Sequence, residues 1–175
     1  MRQLPQKIFL LVSLFTALVI ATAQADQLET VTNEAAGFTI EFPVGWRSVP
    51  LPTGLIGSAG ERNERGQPVA MCNISQPDLG GKTFDTLFEE ERSRAERMNK
   101  PGDEHQVATL EHAAGAAFRV TRRTTTSSGQ VQVVHAVYLA AGGKVWLLNW
   151  TTPPSNDPEQ LEELSLAVAK SFALR

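Results

Sequence analysis

Between Gln106 and Thr151 four stretches able to form strands follow one another with only short glycine-bearing breaks, and this constrains the fold more than any other feature of the chain. The stretches are Gln106 to His112, Ala116 to Thr126, Gln130 to Ala140 and Lys144 to Thr151. The breaks are Ala113-Ala114-Gly115, Ser127-Ser128-Gly129 and Ala141-Gly142-Gly143, each with the glycine that a tight hairpin needs for positive φ. Breaks this short leave no room for a crossover, so the strands must run antiparallel as a meander. Both alternating faces of Val131 to Leu139 are largely apolar, as are both faces of Val145-Trp146-Leu147-Leu148. These strands are therefore expected to be covered on both sides.

Two helices are available as covers. Thr83 to Asn99 sets Phe84, Leu87, Phe88, Glu91, Ala95 and Met98 on one side at helical spacing, with Thr83 as cap and Pro101-Gly102 as stop. Its other face mixes Glu89, Glu90, Arg92, Arg94, Glu96 and Arg97, a solvated face with pairs such as Glu90 with Arg94. The second helix opens at Asp157-Pro158-Glu159-Gln160 and carries Leu161, Leu164, Val168 and Phe172 on one side. Upstream, Phe38, Ile40 and Phe42 alternate with polar residues in a half-buried strand that Pro43 ends, and Gly45-Trp46 begins a turn. From Pro50 to Pro68 the chain is rich in Gly and Pro, which predicts a long loop or an irregular hairpin, with a short strand near Leu55 to Ala59.

Residues 1–25 read as an export signal: Arg2 and Lys7 in front, Ile8 to Ile20 apolar, and Ala23-Gln24-Ala25 as the cleavage pattern before Asp26. The expectation is a signal peptide over 1–25, one domain over 26–175, no membrane span after cleavage, and a periplasmic or secreted protein. A chain of that length can hold a core without cross-links, which matters because Cys72 is the sole cysteine. Cys72 shares a face with Ala70 and Ile74, so it reads as an inert buried thiol. A net charge of -3 argues against nucleic acid as the partner.

Motifs with chemistry are scarce. Gly80-Gly81-Lys82-Thr83 resembles the end of a phosphate loop, but Gln76 stands where the first glycine belongs, and Thr83 reads as a helix cap. Gly57-Ser58-Ala59-Gly60 misses a nucleophile elbow because Ile56 takes the first glycine position. His135 shares a face with Val131, Val133, Val137 and Leu139, which leaves two readings, a buried hydrogen-bonded histidine or one that lines a pocket or binds metal. Arg119, Arg122 and Arg123 crowd one strand, with cross-strand acids such as Glu111 as expected partners.

The strand Gly37-Phe38-Thr39-Ile40-Glu41-Phe42 with its turn Pro43-Val44-Gly45-Trp46, then Gly115-Ala116-Ala117-Phe118-Arg119-Val120, Gly143-Lys144-Val145-Trp146 and Leu161 to Phe172, together resemble the PsbP/Mog-type fold superfamily, which includes PsbP-like and DcrB-like exported bacterial proteins. The resemblance implies an α+β domain, an α/β/α sandwich with an antiparallel sheet between helices, and an accessory role in binding another protein, in some members at a membrane. It implies no cofactor and transfers no site residue. The expected function is a non-enzymatic, exported accessory or binding protein. A small-ligand or metal carrier is the alternative, and a small hydrolase ranks below both. The candidate binding surface is Gly57, Arg62, Arg65 and His135.

Overall fold

The computed structural model describes residues 28–50, 56–59, 71–98, 103–151 and 158–175. Strands β1 (Leu28–Asn33) and β2 (Phe38–Pro43) form a hairpin, followed by β3 (Arg47–Pro50), β4 (Ile56–Ala59) and β5 (Met71–Ser75). Helix α1 (Phe84–Met98) precedes β6 (Asp103–Leu110), β7 (Ala117–Thr125), β8 (Val131–Ala141) and β9 (Lys144–Thr151). Helix α2 (Pro158–Ser171) and the short β10 (Ala173–Leu174) follow. All pairings are antiparallel.

The strands divide between a three-stranded sheet in the order β1-β2-β10 and a seven-stranded sheet in the order β3-β4-β5-β9-β8-β7-β6. The expected meander is the β6 to β9 half of the large sheet. Its last turn is two residues long, Gly142-Gly143, with φ of 60° and 72°, rather than the three expected. Only a residue without a Cβ adopts that pair of left-handed conformations readily, and the tight turn fixes Ala141 opposite Lys144.

Helix α1 covers one face of the large sheet. Thr83 caps it as expected, its Oγ1 accepting the Thr86 N–H at 3.1 Å. Phe84 and Phe88 pack on Phe118, each with ring centroids 5.2 Å apart. The apolar side stops one turn earlier than the spacing suggests, because Met98 is 53 % exposed. Glu90 pairs with Lys82 at 2.7 Å rather than with Arg94, whose guanidinium turns to Glu91 at 2.9 Å.

The other face of the large sheet is covered by α2 and the three-stranded sheet together. The core lies between these layers: Phe38, Ile40 and Phe42 from β2, Cys72 and Ile74 from β5, Val137 and Leu139 from β8, Trp146, Leu148 and Trp150 from β9, with Val168, Ala169 and Phe172. Phe38 stacks on Phe172 at 5.2 Å and meets the edge of Trp146 at 5.4 Å. The antiparallel sheet thus sits between the two helices, with a small second sheet sharing the α2 layer. Cys72 is fully buried in that core, and burial pushes its thiol pKa far up, so it is inert.

Candidate functional site

Strand β7 sends alternate side chains to opposite layers, and its arginines divide accordingly. Arg122 faces α1 with Phe118 and Val120, where Glu91, only 4 % exposed, receives Arg94 at 2.9 Å and Arg122 at 3.4 Å. Arg122 Nε also donates to Nε2 of the buried His105 at 3.4 Å. On the α2 side Arg119 and Arg123 each donate to Glu162 at 2.6 Å, one to each carboxylate oxygen. The closer partner is therefore Glu162 from another layer, because the arginines rise from the sheet toward the helix; of the expected cross-strand acids it is Glu104, directly opposite Arg123, and not Glu111, that pairs, at 3.7 Å. Burial alone would raise the Glu162 pKa, but the Arg123 hydrogen bond and the charges of Arg119 and Arg123 outweigh it and hold the pKa low.

His112, at the end of the β6 strand, ties the sheet to α2. Its Nε2–H donates to the Ala169 carbonyl at 3.0 Å and its Nδ1 accepts the Ala114 N–H at 3.0 Å.

One cross-strand row of the large sheet is unlike its neighbours. In register across all seven strands stand Ser48, Ser58, Cys72, Trp150, His135, Thr121 and Gln106. Cys72, Trp150, His135 and Thr121 are all buried. Thr121 Oγ1 lies 3.2 Å from His135 Nδ1, while among the described residues His135 Nε2 and Trp150 Nε1 have no hydrogen-bond partner. Burial lowers the His135 pKa from 6.5 to about 4, with Glu162 opposing that shift and Arg119 and Arg123 adding to it. The imidazole is neutral at physiological pH.

Of the candidate surface residues, His135 is fully buried, so it takes the hydrogen-bonded core alternative rather than a place on the surface. Gly57 lies inside β4, paired with Val49 and Asn73, within the short strand expected near Leu55 to Ala59. Arg62 and Arg65 lie outside the described residues, as do the export-signal segment 1–25 and the proposed Asp157 cap. Among the described residues no group of three His, Cys, Asp or Glu is arranged to hold a metal ion, and no helix is long and apolar enough to cross a membrane.

The end of the sheet next to the polar row carries exposed apolar groups. Arg47, Ala59, Met71, Thr151 and Val134 form the terminal row there, and the connections 60–70 and 152–157 leave from it. Met71 is 37 % exposed, and Val44, three residues before Arg47, is 51 % exposed. Between them in the chain Trp46 packs on Phe42 at 5.8 Å and on Trp150 at 5.4 Å, which anchors this end to the core. Sequence reading missed the His135 and Trp150 pairing, although counting back from a two-residue Gly142-Gly143 turn places them opposite each other.

No known protein-family model matches the chain, and no curated protein does. Solved structures do. Cyanobacterial PsbP (CyanoP) from Synechocystis sp. PCC 6803 is similar with a TM-score of 0.55 and 14 % identity, over 85 % of this chain and 92 % of that one. LpqN, described as involved in cell envelope biogenesis of Mycobacterium tuberculosis, is similar with a TM-score of 0.51 and 15 % identity, over 89 % of this chain and 96 % of that one. A variant of the protein Mog1 is similar with a TM-score of 0.53 and 11 % identity, over 85 % of this chain and 96 % of that one. With its antiparallel sheet set between two helices and these neighbours aligned over most of its length, the chain has the PsbP/Mog-type fold.

Proposed function

We propose that this chain is an exported, non-enzymatic accessory protein of the periplasm or cell exterior that works by binding another protein, at a membrane or free of it. The observation that carries the reading is the exposure of two apolar side chains toward one end of the large sheet, Met71 in its terminal row and Val44 three residues before Arg47 of the same row, and the sequence that joins β4 to β5 adds the cations Arg62 and Arg65. Exposed apolar side chains at the end of a sheet, with arginines in the adjoining sequence, are a usual composition for protein contact surfaces. Further support comes from the titratable groups, since Glu91, Glu162, His105, His112 and His135 are engaged in packing and pairing inside the fold. The export motif at 1–25 and the likeness to LpqN, a protein involved in cell envelope biogenesis, fit the same reading. The small-ligand or metal carrier alternative rested on the loop 50–68 and the sheet end near His135, and the His135 side chain is enclosed.

The test is site-specific photo-crosslinking in the native host, with the photoreactive residue at Met71 or, as a control, at the exposed Thr124 at the other side of the sheet. A discrete adduct from Met71 that is absent from Thr124 is the expected result. Equal labelling from both positions, or no adduct from Met71, refutes the assignment of this surface. Intact mass of the exported protein starting at Asp26 checks the localisation, and full-length protein retained in the cytoplasm refutes it.

A further inference from the structure

Among the described residues the two buried side-chain groups without a partner, His135 Nε2 and Trp150 Nε1, stand on adjacent strands, directly opposite each other and on the same face of the large sheet. Directly opposed residues of an antiparallel pair hold their Cβ atoms about 4.5–5.5 Å apart. Their rings therefore rise side by side into the same space. Exposure is 0 % for His135 and 1 % for Trp150, so solvent at the surface satisfies neither. Buried polar atoms in folded proteins nearly always have a partner, and two left over at adjacent positions point to one shared partner.

We propose that His135 and Trp150 form a buried binding site for a single water molecule. The indole Nε1–H can only donate, so the molecule must accept there. At the histidine, Thr121 Oγ1 sits at Nδ1, and a proton on Nδ1 donated to that hydroxyl leaves Nε2 as an acceptor. One water then accepts from Trp150 and donates to His135, matching both orphan atoms with one donor and one acceptor. The surrounding polar groups are already engaged. Both oxygens of Glu162 are held by Arg119 and Arg123, and Ser165 Oγ–H donates to the Glu162 carbonyl at 2.8 Å.

A metal ion does not fit the same place. An indole N–H is not a ligand, and Cys72 lies on the far side of Trp150, two strands from His135, which separates their backbones by roughly 10 Å. The enclosed position also excludes an organic ligand, which would need an opening. The row thus holds a neutral site with one donor and one acceptor when His135 carries its proton on Nδ1.

Nitrogen-15 NMR of the intact folded protein at neutral pH tests this. Long-range correlations of the His135 ring should give the Nδ1–H tautomer, and the Trp150 indole proton should show a cross-relaxation peak to a long-lived water. His135→Phe keeps a ring of similar size and removes the acceptor, so the water peak at the Trp150 indole should be lost. A His135 ring protonated on Nε2, no water peak at the indole, or a peak unchanged in His135→Phe overturns the proposal. A stoichiometric metal ion in the purified protein whose removal shifts the His135 ring resonances overturns it as well. Should His135→Phe fail to fold, the tautomer and the water peak of the unaltered protein decide the matter.

Discussion

Acidification should weaken this protein through His135, and the size of the effect follows from its enclosure. In the unfolded chain the imidazole takes up a proton near pH 6.5, whereas in the folded protein burial delays uptake to about pH 4. The folded pKa is the lower one, so the neutral form is the form the fold favours. Stability is then complete above pH 6.5, declines as pH falls toward 4, and levels off below that. The gap corresponds to about 3 kcal/mol in total, of which about 2 kcal/mol is lost by pH 5. His105 acts in the same direction because burial lowers its pKa too, so the unaltered protein reports both residues. Glu162, with its lowered pKa, contributes above the unfolded carboxylate range and loses that contribution only at more acid pH. Urea unfolding of the protein and of His135→Phe at intervals from pH 7.5 to pH 5 separates the terms. The variant should begin less stable at neutral pH, since it loses the Thr121 contact, yet decline about 2 kcal/mol less between the two ends. Parallel declines in the two proteins would refute the reasoning and mean that His135 titrates in the folded state as it does in water.

Three further changes probe the layers around that residue. Glu162→Gln leaves Arg119 and Arg123 facing one neutral amide between sheet and helix, and a loss of about 1–3 kcal/mol is expected in urea melts; a loss under about 0.5 kcal/mol would mean that the pairs act as exposed surface bridges do. Gly115→Ala places a Cβ 2.0 Å from the Ala140 carbonyl oxygen, a backbone atom of β8 whose own N–H donates to Ala116, so a loss of about 2–3 kcal/mol is expected and an unchanged melting temperature would contradict the close approach. Trp46→Ala removes a half-buried ring from between Phe42 and Trp150 and should cost about 3 kcal/mol, with a loss below about 1 kcal/mol showing that the ring is dispensable to the core.

The sequence made some of these elements legible and hid others for physical reasons. Phe38, Ile40 and Phe42 announced β2 by their alternation because one face of that strand is fully buried. Strand β1 gave no such signal, since Leu28 to Thr30 are exposed and Asn33 is its one buried residue. The four residues of β3 and the two of β10 are too short to show a period at all. His135 showed its burial through its apolar neighbours, but its partner Thr121 depends on the register of a hairpin that local composition leaves open. Glu162 was hidden from Arg119 because their meeting is made across layers, 43 residues apart in the chain. The segment with Arg62 and Arg65 was visible as composition only.

The order of the large sheet also shapes how the chain must assemble. Strands β3 to β5 pair in chain order, and so do β6 to β9, so each half can zip from its own turns. Among the described strands of the large sheet, only the seam between β5 and β9 joins residues remote in sequence, bringing Ser75 to Leu147 and Cys72 to Trp150. Helix α1 and the whole β6 to β8 meander lie inside the loop that this seam closes. Closing a long loop costs entropy before its contacts form, so the topology concentrates the kinetic barrier to refolding at that one line. No hairpin turn sets its register, and the fit of small Cys72 beside large Trp150 is what distinguishes the native alignment from one shifted by two residues, which would set Ile74 against the same indole.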